Sequence, residues 1–149
     1  MSTYVKAPED TQAALNVILE FRKSAGVGRL DLSNTNLIGV RTYHADLSHA
    51  DFRNSSLVRA HLDQSDLDRS ILSGTDLRYA CLAGATFSDA ILEHTRVNGA
   101  DFSDATLTGA RLTGAGLQAT ITSQCTVLPS GKFESQACPA AAQDEDITP

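Results

Sequence analysis

Four histidines and three cysteines are the residues of this chain best suited to nucleophilic or metal chemistry. No Ser-His-Asp or Cys-His arrangement with a supporting pocket can be argued for His44, His49, His61 or His94. Cys125 and Cys138 flank a terminal turn and could approach each other, but an odd cysteine count without a signal peptide favours free thiols. Their spacing is not a zinc pattern, and Cys81 has no partner motif. Glycines 39, 74, 84, 99, 109 and 114 stand five or a multiple of five apart, where backbone turning explains them, and they form no phosphate-binding loop. The expectation is a chain with no catalytic, cofactor-binding or metal-binding residues.

What could position any side chain here is a five-residue beat. From Leu30 to Ala119 every fifth residue is large and apolar. The central positions are Leu32, Leu37, Thr42, Leu47, Phe52, Leu57, Leu62, Leu67, Leu72, Leu77, Leu82, Phe87, Leu92, Val97, Phe102, Leu107, Leu112 and Leu117. The residue two places earlier is mostly Ala, Ser or Thr. Neither a helix at 3.6 residues per turn nor a flat strand at 2 keeps every fifth side chain on one side. A period of five works if the chain turns a corner after each unit. The central residue and the small one two before it then both point inward. Such units bury apolar faces only by stacking on their neighbours, which is the signature of a solenoid.

The units "ADLSH" (45–49), "ADFRN" (50–54), "SDLDR" (65–69), "TDLRY" (75–79), "ADFSD" (100–104) and "ARLTG" (110–114) resemble the pentapeptide-repeat family, whose motif reads Ala-(Asp/Asn)-Leu-x-x. The resemblance implies an all-β solenoid, a right-handed quadrilateral β-helix with four units per coil. Eighteen repeats then make about four and a half coils over residues 30–119, a rod about 22 Å long at roughly 4.8 Å per coil. Thr42 departs from the pattern, and its inward hydroxyl must find a backbone partner.

A solenoid needs its open ends covered. Residues 8–25 predict an amphipathic capping α-helix within an N-terminal segment 1–29. Pro8 suits the first helical position, Glu9 and Asp10 sit at the positive dipole end, and Gly26 suits a stop. Ala14, Leu15, Ile18, Leu19, Phe21 and Ala25 follow helical spacing. Residues 120–149 are expected to hold an irregular or hairpin cap around the turn signal at Pro129-Ser130, then a disordered acidic tail. No stretch resembles a secretory apolar region or a membrane span, so a soluble cytoplasmic protein is expected.

The net charge of −6 excludes generic nucleic-acid affinity through a basic surface. Counting four units per coil puts Asp31, Asp46, Asp51, Asp66, Asp68, Asp89 and Glu93 on two adjacent walls, opposed by Arg53, Arg69 and Arg111. Asp46, Asp66 and Asp68 are candidate partner contacts there. Asp before the central Leu is also the habitual residue of the resembled family, so these columns are read first as repeat-derived. Stacked Asp pairs on a convex wall lack the six to eight oxygens Ca²⁺ wants. A second candidate surface is the corner bearing Ile38, Val58 and Tyr79, with Tyr43, Arg59 and His61 nearby. Aromatic, aliphatic and Arg groups together are what interfaces prefer.

The expected function is a non-enzymatic structural or protein-interaction module with an unidentified protein partner, no cofactor, no nucleic acid and no membrane, as a monomer or end-to-end dimer. The alternative comes from a branch of the resembled family that mimics DNA and protects bacterial DNA gyrase from quinolones. About 22 Å of duplex would present about 13 phosphate charges, whereas residues 30–119 carry 11 acidic and 7 basic groups.

Overall fold

The computed structural model describes residues 8–25, 28–116, 120 and 126–130. The period of five becomes one short wall segment and one turn per unit. The residue before each central position pairs in parallel with its counterpart 20 residues on. Four columns result: Asp31–Asp51–Ile71–Ile91–Arg111, Asn36–Ser56–Asp76–Arg96, Arg41–His61–Cys81–Asp101, and Asp46–Asp66–Thr86–Thr106. Four units therefore close one coil, and four walls enclose the core. We number the coils from residue 30, so that 30–49, 50–69, 70–89 and 90–109 are the first four.

Backbone groups alternate between the coils above and below, as a parallel ladder requires. Ile71 N–H donates back to Ala50 O at 2.9 Å, and Leu72 N–H donates forward to Ile91 O at 2.7 Å. At most corners the chain folds back on the central carbonyl, as in Ala50 N–H to Leu47 O at 3.1 Å, whereas Thr35 and Ala45 N–H donate to Ser55 and Ser65 Oγ. The second turn residue is left-handed at all 17 corners from Asn34 to Gly114, with φ between +53° and +76°. Gly99 shows why one corner must be glycine: an added Cβ would lie 2.5 Å from the Tyr79 ring one coil earlier.

The interior is filled by the chain's own side chains. Described central residues from Leu32 to Leu107 are buried, and Phe87 and Phe102 meet with ring centroids 5.6 Å apart. Small inward residues do a second job where they carry a hydroxyl. Ser55, Ser65, Thr75 and Thr95 each donate to a central carbonyl of the preceding coil (Leu32, Thr42, Phe52 and Leu72) at 2.5–2.7 Å. Thr42 departs from expectation. It is buried, but its Oγ1 has no hydrogen-bond partner. The hydroxyl sits at the central position rather than two before it, where the other hydroxyls reach the carbonyls.

The repeat pattern resumes beyond residue 119. Val127 bridges Thr106, Leu107 N–H donates to Val127 O at 2.8 Å, and Thr126 Oγ1 donates to Phe102 O at 2.9 Å. Residues 126–130 are thus another rung on the Leu107 wall, offset by 21 residues instead of 20, and the expected turn at Pro129-Ser130 is its corner. Cys125, Cys138, Gly26, the rest of the expected cap from residue 131 and the tail 140–149 lie outside the described residues.

Helix α1 spans Pro8–Ala25. The inward-facing residues Thr11, Leu15 and Leu19 differ from the apolar set read from the sequence: Ala14, Ile18 and Phe21 are exposed, as is Val17. Polar anchors fix this rotation. Gln12 Nε2 donates to Arg41 O at 2.8 Å and its Oε1 accepts Arg41 N–H at 2.5 Å, meeting backbone groups on the open edge of the first coil. At the other end Arg22 donates to Ser48 O and lies 3.4 Å from Asp46.

Candidate functional site

On the acidic walls most carboxylates have local work. Asp31, Asp46, Asp51 and Asp66 accept the N–H two residues on, from Ser33, Ser48, Arg53 and Asp68, at 2.9–3.1 Å. On the other walls Asp76 and Asp101 do the same for Arg78 and Ser103. A short acceptor placed just before the central Leu closes the following turn, which explains the recurring Asp. Asp68 ties the next coil, accepting Ser88 N–H at 2.7 Å.

Arginines neutralise part of what remains. Asp51 is almost fully buried between Arg53 and Arg29, at 2.6 and 2.7 Å. Asp46 faces Arg22, and Glu93 pairs with Arg111 at 2.5 Å. Arg22 and Arg29 come from outside the repeat and were absent from the sequence-based tally of these walls. They reduce the excess there from four to two negative charges. Among the described residues Asp66 and Asp68 have no ion pair, so of the three acidic candidates only these two keep an uncompensated charge.

At Asp31, Asp46, Asp51 and Asp76 these contacts hold the carboxyl below its ordinary range. Hydrogen bonds from Arg53 and Arg78 dominate at Asp51 and Asp76 respectively, against a smaller opposing effect of burial. At Asp46 burial pushes upward most strongly, but the hydrogen bonds from Ser48 and the charge of Arg22 together outweigh it.

The second candidate surface is a real juxtaposition. Ile38 and Val58 occupy the same turn position in successive coils, and Arg59 and Tyr79 the next position, so one corner carries them all. Ile38 is 45% and Tyr79 57% exposed. The Arg59 guanidinium stands 5.8 Å from the Tyr79 ring centroid, and that ring lies against Gly99 on its other side. Tyr43, 53% exposed, leans on His61 with centroids 6.1 Å apart. The result is an apolar and aromatic strip held in place by stacking.

Two features escaped the sequence reading. A groove of about 530 Å³ runs between α1 and the wall, lined by Arg22, Arg29, Asp46, His49 and Arg69 among others. Only the packing of α1 creates it. The other is the meeting of His61, Asp63 and Cys81 on one wall. Residues 61 and 81 belong together only once the 20-residue coil is applied, and that register was the available signal.

A family model described as pentapeptide repeats matches residues 29–54, 45–80 and 80–118, with eight copies. A search of curated proteins found no match. Among solved structures the chain is similar to Rfr23, a pentapeptide repeat protein from the cyanobacterium Cyanothece 51142. Identity is 23%, over 76% of this chain and 99% of that one, with a TM-score of 0.44. A pentapeptide repeat protein from Nostoc PCC 7120 is 24% identical over 72% of this chain and 84% of that one, with a TM-score of 0.46. QnrB1, a plasmid-mediated fluoroquinolone resistance protein, is 19% identical over 78% of this chain and 73% of that one, with a TM-score of 0.30.

Proposed function

This chain belongs to the pentapeptide-repeat family and has its right-handed quadrilateral β-helix, and from that premise we propose that it is a rigid, non-catalytic module that docks a protein partner on its Ile38–Val58–Tyr79 corner. Members of the family are generally non-enzymatic structural repeat proteins. The observation that carries the reading is the exposure of Ile38 and Tyr79 on one corner, with Arg59 stacked on Tyr79. Its side chains are ordered by their neighbours before any partner arrives, which lowers the entropy lost on binding.

The acidic walls are the weaker surface. Turn closure accounts for most of their aspartates, and arginines neutralise Asp46, Asp51 and Glu93. The same pairing weighs against DNA mimicry, which needs a dense and unpaired row of charge.

The N-terminal segment 1–29 acts in this proposal as the cap of the first coil. Burial of Leu15 and Leu19 and the paired hydrogen bonds of Gln12 to Arg41 support it. The proposed repeat body over residues 30–119 gains a further rung at 126–130, inside the segment 120–149 expected to hold the C-terminal cap and tail. No described helix is long and apolar enough to cross a membrane. A cytoplasmic location is our proposal from the sequence alone.

A pull-down from native cell extract tests the docking surface. The wild-type rod should retain the same partner at 50 and 200 mM salt, and Tyr79→Ala should lose it. Retention by Tyr79→Ala, with release of the partner at 200 mM salt, would move the interface to Asp66 and Asp68, whose exposed charges are screened. A supercoiling assay with gyrase, with and without a quinolone, should show neither inhibition nor protection.

A further inference from the structure

His61 and Cys81 face outward as bridge partners on consecutive coils. Asp63 follows His61 by two residues, just past the inward Leu62, at the start of the turn that ends this wall segment. One donor atom from each lies within 4.8 Å of the other two: a ring nitrogen, a thiol sulfur and a carboxylate oxygen. All three side chains are half-buried. We propose that His61, Asp63 and Cys81 form a binding site for a zinc-class divalent cation, which bridges the second and third coils.

Three observations support the assignment. The first is ligand chemistry. Imidazole, thiolate and carboxylate together suit a borderline-soft cation such as Zn²⁺ and not Mg²⁺ or Ca²⁺, which favour all-oxygen sets. Bond lengths of about 2.0–2.3 Å in a tetrahedron place ligand atoms roughly 3.3–3.8 Å apart. Side-chain rotations close the remaining gap, and the position facing solvent is left to water.

The second is availability. The aspartates at bridge positions of this fold close their own turns, as Asp101 does for Ser103 N–H. Asp63 stands instead at a turn position. Among the described residues neither its carboxylate, nor the His61 ring nitrogens, nor the Cys81 thiol makes a hydrogen bond or ion pair.

The third is potential. Cys81 lies between His61 on one side and Asp101 on the other in its column. Asp63 beside it and Asp101 one coil on make its surroundings negative. The same negative surroundings attract a cation, which displaces the thiol proton to solvent as the metal–sulfur bond forms.

The test uses the full chain with Cys125→Ser and Cys138→Ser, so that Cys81 is the one thiol. Co²⁺ is the spectroscopic stand-in for Zn²⁺. The expected result is a thiolate-to-cobalt charge-transfer band that saturates at one equivalent and disappears on addition of Zn²⁺. Cys81→Ser should abolish the band, and His61→Gln or Asp63→Asn should weaken binding by more than about tenfold. His94→Gln should leave it unchanged. Zn²⁺ should also raise the melting temperature of the parent and not of Cys81→Ser, because the ion joins two coils only when folded. No charge-transfer band overturns the proposal. So does a band of unchanged affinity in His61→Gln and Asp63→Asn, which would mark binding to the thiol alone.

Discussion

Replacing Thr42 by Val should make this protein more stable, although it changes a buried residue at a central position. Thr42 is 4% exposed and its Oγ1 has no hydrogen-bond partner. A buried hydroxyl left unsatisfied costs about 1–3 kcal/mol, and Val has nearly the same shape without that group. At roughly 2–4 °C per kcal/mol for a chain of this size, the melting temperature should rise by several degrees. Thr75→Val supplies the control. Its Oγ1 donates to Phe52 O at 2.6 Å, so the same substitution removes a hydrogen bond worth about 0.5–1.5 kcal/mol and should lower the melting temperature. Both variants would be melted by circular dichroism and unfolded in urea. Shifts of the same sign in both, or a fall in Thr42→Val, would refute the reasoning.

Four further outcomes follow from the same contacts. Leu72→Lys places an ammonium in a site with 0% exposure midway along the rod, and should unfold it or drive the Lys pKa strongly down; an unchanged melting temperature would contradict the filled core. Gly99→Ala, at φ +71° and against the Tyr79 ring, should destabilise by about 1–2 kcal/mol and displace Tyr79 from its corner, seen as loss of partner capture. Asp46, Asp51 and Asp76 have folded pKa values below 3.8, so the unfolded chain binds more protons in that range. The stability they supply is complete above about pH 5 and is lost as pH falls below 3.8 through the lower folded values, which melting curves from pH 7 to 2 would trace. Deleting residues 1–26 frees the Arg41 edge that Gln12 covers and should give end-to-end association by light scattering; a monomeric and equally stable truncation would show that α1 is no cap.

The repeat was legible because burial of one large and one small residue per unit leaves a period that nothing else imitates. What the sequence hid lies where contacts join residues far apart. Leu15, Leu19, Ile18 and Phe21 all fit a helical stripe, yet only the first pair turns inward, because Gln12 and Arg22 tie the helix to Arg41 and Ser48. Val127 and Leu128 look like an ordinary β-prone run, since one extra residue breaks the count that would have placed them over Thr106 and Leu107. The aspartate columns read as a charged surface, whereas their carboxylates largely close turns and meet Arg22 and Arg29 from outside the repeat. The shared placement of Ile38, Val58, Arg59 and Tyr79 on one corner was legible, because it follows from the 20-residue count alone.

That count is tested most directly by cross-linking. In a background with Cys81, Cys125 and Cys138 replaced by Ser, one variant would carry Ile71→Cys with Ile91→Cys, and a second Ile71→Cys with Thr86→Cys. Residues 71 and 91 are bridge partners on one wall, while 86 lies on the adjacent wall over 66. Parallel neighbours at roughly 4.8 Å fall inside the Cα separation a disulfide accepts. Mild oxidation should close the 71–91 pair within one molecule and leave the 71–86 pair reduced, with the folded spectrum retained. Closure of 71–86 with 71–91 left open would contradict the four-walled coil on which every surface assigned to this protein depends.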